Sequence, residues 1–264
     1  MDAINKLTRK NIAIFCSVGL IAGFLAGFFG IGGGSVIVPV LVALGFSQRT
    51  AVATSLLSIL PTAASGVITY LVGDEIDYIV AALLACGVII GAQIGTRLLN
   101  ILPESLLRWF FAVFILVISA LQFIMVPSRG TEITLDLLSG TGLIVLGVIT
   151  GILSGLLGIG GGFFVITGLT FLFGGSDITA RGTSLLMMIP GTISGTIQNV
   201  RNKLTDVRVG LIIGGCACAT TPAGKIALEQ LSPKTAAVLM GIYLAGLFIR
   251  SLYVAARKDK SKNN

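Results

Sequence analysis

Two short glycine-rich stretches are the residues of this chain whose pattern most directly indicates binding chemistry. Residues 30–34 and residues 158–162 both read Gly-Ile-Gly-Gly-Gly, and each is followed by a short apolar segment, at 35–45 and 163–173. At 1.5 Å per residue such a segment spans only about 15 Å, so we interpret it as a half-length helix that begins deep in the protein. Unpaired N–H groups and partial positive charge at its first turn favour an anion. The glycines expected to bind that anion are Gly32, Gly33, Gly34, Gly160, Gly161 and Gly162.

Hydroxyl and amide side chains near these stretches supply further candidate donors. Thr54-Ser55 and Thr183-Ser184 open the helix that follows each short segment. Neutral donors of this kind could hold the oxygens of an oxyanion without placing a permanent charge in lipid. The alternative for any one of them is a hydrogen bond to a neighbouring helix. The full set of side-chain candidates is Ser35, Thr54, Ser55, Gln93, Thr183, Ser184 and Gln198.

Two arginines near the ends of apolar segments, Arg97 and Arg181, are candidates for a gate or for attracting an anion. Most basic residues in such positions extend towards lipid headgroups. Arg181 directly precedes Gly182-Thr183-Ser184, and it is the arginine expected to face an outer vestibule. No Asp or Glu falls well inside a predicted span, so the sequence gives no support to a carboxylate proton relay.

The composition excludes several catalytic and cofactor chemistries. The chain has no histidine, which excludes a Ser-His-Asp triad and an HExxH zinc helix. Its four cysteines lie in apolar runs, and we interpret them as packing residues rather than as metal ligands or disulfide partners. Neither glycine stretch continues into a G-x-G-x-x-G pattern, because Ser35 and Phe163 follow, so a nucleotide loop is rejected. We therefore expect no cofactor, no metal and no enzymatic activity.

The composition also predicts that the chain is dissolved in lipid. Hydrophobic residues make up 55% of the chain and charged residues 11%, whereas a soluble domain is about a quarter charged. Mean hydropathy is +1.00. Scattered glycines such as Gly19, Gly23, Gly147 and Gly151 are expected to let membrane helices approach closely. The predicted spans are 12–29, 51–72, 78–98, 106–126, 139–158, 179–199, 208–226 and 235–255.

Charged residues in the loops predict how the chain is threaded. Three basic residues precede the first span, the loop at 73–77 is acidic, and the tail after residue 255 is basic. Because basic loops stay in the cytoplasm, both termini are expected inside a multi-pass protein of the cytoplasmic membrane. The net charge of +7 is interpreted as a signal of topology and of contact with lipid headgroups, with no nucleic-acid partner.

The chain contains an internal repeat. Residues 27–34 match residues 155–162 at an offset of 128, and Thr54-Ser55-Leu56-Leu57 matches Thr183-Ser184-Leu185-Leu186 at an offset of 129. Each half has five hydrophobic pieces, so it crosses the membrane an odd number of times and the halves must be inverted. The predicted fold class is an all-α polytopic membrane protein of two inverted-topology repeats. Its predicted parts are a cytoplasmic N terminus (1–11), a first repeat (12–126), an external linker (127–138), a second repeat (139–255) and a basic cytoplasmic tail (256–264).

At these residues the sequence resembles the TauE/SafE family of sulfite exporters. The resemblance depends on residues 27–34 with Pro39, on Thr54-Ser55, on residues 91–95 with Arg97, and on residues 155–162 with Thr183-Ser184. It implies an integral membrane permease that moves sulfite, sulfonates or related sulfur-containing organic anions, usually outwards. The second half has Thr167 where the first has Pro39, which argues against a strictly symmetric site.

The function expected from these features is secondary transport. The chain would export a small sulfur-containing oxyanion, such as sulfite or sulfoacetate, by alternating access around a site near the membrane midplane. The alternatives are an anion channel with a continuous path, an intramembrane enzyme, and an assembly factor without flux. The expected partners are a small anionic substrate and membrane lipid, and the sequence is compatible with a homodimer.

Overall fold

Ten α-helices form the part of the chain that the computed structural model describes, residues 9–124 and 136–260. They are α1 (Arg9–Phe29), α2 (Gly34–Ala43), α3 (Gln48–Leu71), α4 (Tyr78–Ile101), α5 (Glu104–Ile124), α6 (Leu137–Leu157), α7 (Gly162–Phe171), α8 (Asp177–Arg201), α9 (Val207–Glu229) and α10 (Pro233–Lys260). No strand occurs within these residues, so the all-α prediction is confirmed. The predicted N terminus up to residue 8, the linker residues 127–135 and the tail residues 261–264 lie outside the described residues.

Each predicted apolar segment corresponds to one helix. Six of the described helices are long and apolar enough to cross a membrane, namely α1, α3, α4, α6, α9 and α10. The predicted spans 106–126 and 179–199 correspond to α5 and to the more polar α8, of 21 and 25 residues. The two short segments are the 10-residue helices α2 and α7. Large side chains such as Ile68, Ile90 and Ile242 are exposed on the outside of the helices, as lipid requires.

Short polar side chains begin equivalent helices of the two halves in the same way. The Asp77 carboxylate accepts a hydrogen bond of 3.0 Å from Val80 N–H at the start of α4, and Asp206 accepts one of 3.1 Å from Val209 N–H at the start of α9. Asp136 caps α6 by accepting from the N–H of Ser139. The backbone N–H and then the hydroxyl of Ser139 lower the pKa of that carboxyl. Each cap satisfies an N–H group that has no partner within its helix.

Glycines on one face bring two pairs of helices into close contact. A Cβ added at Gly23 of α1 would collide with the backbone of Ala217 in α9, and a Cβ added at Gly151 of α6 would meet the carbonyl oxygen of Val88 in α4. Both contacts repeat along the helix, at Gly19, Gly23 and Gly27 of α1 and at Gly147, Gly151 and Gly155 of α6. The prediction that scattered glycines serve close helix packing is confirmed.

The two halves run in opposite directions. Helices α3 and α8 are equivalent in the repeat and pack against each other. A Cβ added at Gly195 would lie 3.4 Å from Leu56, and one at Gly66 would lie 2.8 Å from Leu185, so the start of each helix meets the end of the other. Equivalent helices that cross antiparallel belong to inverted halves, and the predicted inverted-topology repeat is confirmed.

Candidate functional site

The two glycine-rich stretches are breaks between helices. Helix α1 ends at Phe29, and the chain passes through Gly30, Gly32 and Gly33 at φ of 73°, 70° and 78° before α2 begins. The second break repeats this backbone, with φ of 68°, 85° and 82° at Gly158, Gly160 and Gly161. Side-chain-bearing residues rarely adopt this left-handed conformation, and that explains the glycine at each of these positions. Gly33 and Gly161 directly precede the first turns of α2 and α7.

The breaks pack directly against each other at the centre of the molecule. A Cβ added at Gly34 would collide with the carbonyl oxygen of Gly158, and one added at Gly162 would lie 2.6 Å from the carbonyl oxygen of Gly30. Ile59 of α3 and Met188 of α8 lie against both breaks and are fully buried. The N termini of the two short helices therefore meet deep in the protein.

The Thr-Ser pairs join each half to the break and loop of the other half. Ser55 Oγ donates to the carbonyl oxygen of Gly158 at 2.7 Å, and Ser184 Oγ donates to that of Gly30 at 2.8 Å. In the same symmetric fashion, Thr54 Oγ1 accepts from the N–H of Asp206 at 3.0 Å, and Thr183 Oγ1 accepts from the N–H of Asp77 at 2.9 Å. The four hydroxyls thus lie at the interface between the halves, and their contact with a substrate stays a prediction.

The remaining polar candidates lie at varying distances from the breaks. Ser35, in the first turn of α2, shares a hydrogen bond of 2.8 Å with the hydroxyl of Tyr243 in α10. Gln93 Nε2 donates to Ser194 Oγ at 3.1 Å between α4 and α8. Gln198 is half-buried in the last turns of α8, ten residues beyond Met188, which places it about 15 Å along the helix. The structure brings Ser35 to a break but not Gln198.

Arg97 and Arg181 differ in burial, and the expectation that Arg181 faces an outer vestibule is wrong. Arg97 is exposed. Arg181 does not face a vestibule, because its side chain is 2% exposed and forms an ion pair of 2.8 Å with Asp177. Its Nη1 also donates to the carbonyl oxygen of Phe28 at 3.1 Å. Asp177, the first residue of α8, is also 1% exposed, so a buried carboxylate lies at the start of this helix, just before the predicted span 179–199.

A second group of charges lies beside this ion pair, close to the ends of α3 and α9. Lys225 Nζ is 3.0 Å from Glu75 and 2.6 Å from Glu229, and it lies 5.6 Å from the centre of the Tyr70 ring. The Tyr70 hydroxyl donates to the carbonyl oxygen of Gly27 at 2.9 Å. We call this region the charged end, made of Tyr70, Glu75, Asp177, Arg181, Lys225 and Glu229.

Sequence reasoning missed the charged end, although part of its signal was present. Asp177 with Arg181 and Lys225 with Glu229 have the i, i+4 spacing at which opposite charges pair on a helix. The contacts to Glu75, Tyr70 and Phe28 come from elsewhere in the chain and had no local signal. Among residues 9–124 and 136–260, no group of three His, Cys, Asp or Glu side chains is placed to bind a metal ion.

Comparison with known proteins gives matches along almost the whole chain. The family model described as "Sulfite exporter TauE/SafE" matches residues 14–177 and 143–264. The "Probable membrane transporter protein YdhB" of Bacillus subtilis is 26% identical over 235 residues, which cover 86% of this chain and 95% of that protein. "Probable membrane transporter protein YunE" of the same organism is 24% identical over 268 residues, covering 92% and 98%.

A plant relative is similar over a shorter region. The "Sulfite exporter TauE/SafE family protein 2" of Arabidopsis thaliana is 28% identical over 138 residues, which cover 52% of this chain and 30% of that protein. No solved structure matches the chain.

Proposed function

Because this chain belongs to the sulfite exporter TauE/SafE family of membrane transporters, we propose that it is a secondary transporter of small sulfur-containing oxyanions. Sulfite, sulfoacetate and other organosulfonates are the substrate class. The description of the family and the name of the plant relative both point to sulfite. The physical support is independent of those names, because the centre of the molecule offers donors suited to an anion.

The observation that carries the proposal is the meeting of the two helical breaks at the centre of the molecule. Helices α2 and α7 begin there, at Gly34 and Gly162, so their unpaired N–H groups and positive dipole ends lie close together. An oxyanion held between them would accept hydrogen bonds from the backbone and from neighbouring hydroxyls. No permanent charge needs to be buried in lipid to hold it.

The contacts between the halves support alternating access. Ser55 and Ser184 each hold the break of the opposite half through one hydrogen bond. Rocking one half against the other would break these bonds and open the centre first to one side and then to the other. An inside-negative membrane potential drives export of an anion, by about 2.3 kcal/mol per charge per 100 mV.

The test is flux of radiolabelled sulfite, sulfoacetate and taurine in proteoliposomes, with Gly33→Leu and Gly161→Leu variants. A side chain at Gly33 would press on the backbone of Ala22, and one at Gly161 would collide with Thr150. We expect each variant to lower the initial rate at least tenfold. Saturation and counterflow by the wild type would distinguish a carrier from a channel.

Gly45→Leu and Gly174→Leu are matched controls. These two glycines are equivalent in the repeat and also have positive φ, of 95° and 69°, so they impose the same backbone strain. Nothing lies within 4 Å of a Cβ at either position, and both lie beyond the far ends of α2 and α7. We expect rates close to wild type. If the break variants fold and transport as well as these controls do, the breaks do not form the substrate site.

A further inference from the structure

The two breaks differ in the side chains that pack against them. Helix α6 presents Thr150 and Ser154 to the second break, where a Cβ added at Gly161 would collide with Thr150 Cγ2 and lie 3.6 Å from Ser154 Cβ. At the equivalent positions of α1 stand Ala22 and Ala26, and a Cβ added at Gly33 would meet Ala22 at 3.1 Å. The backbones correspond, but only the second break has hydroxyls from the preceding long helix.

Thr150 is fully buried, and its hydroxyl has no partner. The residue is 0% exposed, and within the described part of the chain Oγ1 forms no hydrogen bond. Three other helical threonines, Thr62, Thr192 and Thr221, each donate to the carbonyl oxygen four residues earlier, whereas Thr196 of α8 shares the lack of a partner. A buried hydroxyl without a partner costs free energy unless something binds to it.

Backbone donors lie at the start of α7, directly after Gly161, which packs against Thr150. The first N–H groups of α7 that bond within the helix are those of Phe164 and Val165, which both donate to the carbonyl oxygen of Gly161. The N–H groups that precede these two have no acceptor inside this 10-residue helix, as helix geometry requires. Thr150 and these N–H groups are therefore donors at the same break.

At the first break the buried hydroxyl nearest to the start of α2 already has a partner. Ser35 and Tyr243 share a hydrogen bond of 2.8 Å. The Tyr243 ring also stacks on Phe29 with a centroid distance of 5.4 Å, which fixes the tyrosine in place. The first break therefore lacks an unsatisfied buried hydroxyl like that of Thr150.

We infer that the oxyanion proposed to lie between the breaks is held by the second break, at the N terminus of α7 together with Thr150 and Ser154, and that the first break forms no equal site. The inference rests on the proposed function and deepens it by naming the site and its ligand class. Thr150 donates its hydroxyl to one ligand oxygen, Ser154 lies one turn further along α6, and the first N–H groups of α7 bind the remaining oxygens.

The surroundings of this site select a singly charged ligand. The atoms nearest to a Cβ added at Gly160, Gly161 or Gly162 belong to uncharged residues, and Gly158 packs against Val52 where the equivalent Gly30 of the first break packs against Arg181. A helix N terminus supplies only about half a positive charge. Because the cost of desolvating an ion rises with the square of its charge, this site favours a monoanion, such as a sulfonate or hydrogen sulfite, over a dianion.

The experiment is calorimetric titration of the purified full chain with methanesulfonate, hydrogen sulfite at mildly acidic pH, and sulfate as the dianion. We expect one binding site per chain and weaker binding of sulfate. Thr150→Val, which removes the hydroxyl and keeps the shape, should weaken methanesulfonate binding at least tenfold, as expected for a lost hydrogen bond to a charged group. Its melting temperature should not fall, because the hydroxyl has no protein partner to lose.

Thr170→Val is the matched control. Thr170 lies near the other end of α7 and donates to the carbonyl oxygen of Ile166, so its loss should leave binding within about twofold of wild type and lower the melting temperature. Ser154→Ala is a second probe of the same site, should Thr150→Val not fold, and it should also weaken binding.

Each contrary outcome has a distinct meaning. Two equal sites, or wild-type binding by both the Thr150 and Ser154 variants, would overturn the single site and leave the transport proposal standing. Sulfate binding as tight as methanesulfonate binding would overturn the choice of a monoanion. A wild type that neither binds nor transports any of these anions would overturn the proposed function and the site with it.

Discussion

The charged end and the region related to it by the internal repeat have the same backbone, but their side chains differ in charge. A Cβ added at Gly30 would lie 2.7 Å from Cβ of Arg181, and one added at Gly158 would lie 2.8 Å from Cα of Val52, the equivalent residue. We call the counterpart the neutral end, because every charged member is replaced there by an uncharged one. The replacements are Gln48 for Asp177, Val52 for Arg181, Leu204 for Glu75, Thr96 for Lys225, Asn100 for Glu229 and Asn199 for Tyr70.

The difference shows how an inverted repeat becomes directional. If both ends had the same side chains, the two states related by exchanging the halves would have equal free energy. At the charged end, hydrogen bonds from Arg181 and Tyr70 join α8 and α3 to α1, and the ion pair between Lys225 and Glu75 joins α9 to the loop before α4. Opening this end requires breaking those contacts, so we expect it to cost more than opening the neutral end. In the proposed topology the charged end lies outside.

The largest expected effect comes from removing one partner of the buried ion pair. Arg181→Met would leave the Asp177 carboxylate buried and unpaired, because both side chains are almost completely buried. Loss of one partner in such a pair costs about 3–5 kcal/mol. We expect the free energy of unfolding in detergent, followed by thermal or denaturant unfolding, to fall by that amount.

The double variant Arg181→Met/Asp177→Leu separates charge from size. With both charges removed, most of the penalty disappears, and at least half of the lost stability should return. Arg97→Met is the control, because Arg97 is exposed and its replacement should change the free energy of unfolding by less than about 0.5 kcal/mol. Equal losses in the single and double variants would mean that the size of Arg181, and not its pairing, stabilises the charged end.

A smaller effect is expected at Lys225, where the charges are nearer to solvent. Lys225→Thr installs the residue found at the neutral end and leaves Glu75 and Glu229 without their cation. These carboxylates are 20% and 39% exposed, so we expect a loss of about 1–2 kcal/mol, between the values for buried and surface pairs. Unfolding at low and high salt provides the check. The loss should shrink at high salt, whereas that of Arg181→Met should not. The same salt response in both variants would contradict the difference in burial.

Local patterns made much of the fold predictable, whereas the charged end depends on long-range contacts. Apolar runs located the helices, and the repeated glycines located both breaks, because only glycine fits the left-handed backbone there. For Ser55 and Ser184, the sequence predicted hydrogen bonds to a neighbouring helix only as an alternative to ligand binding. A hydroxyl in a helix can form either contact equally well. Burial of Arg181 depends on Phe28, and that of Lys225 on Glu75. No spacing within one segment predicts contacts between residues so far apart in the chain.

The smallest effects, and the sharpest contrast, are expected at Tyr70 and its counterpart Asn199. Tyr70→Phe removes one hydroxyl that donates to Gly27 and should cost about 1 kcal/mol. Asn199 is 0% exposed, and both amide atoms lack partners among the described residues. Asn199→Leu keeps a similar branched shape and removes two unsatisfied groups, so the free energy of unfolding should stay the same or rise. Equal losses of stability on thermal unfolding of both variants would mean that the Asn199 amide has a partner. The contacts of the neutral end would then contribute as much stability as those of the charged end.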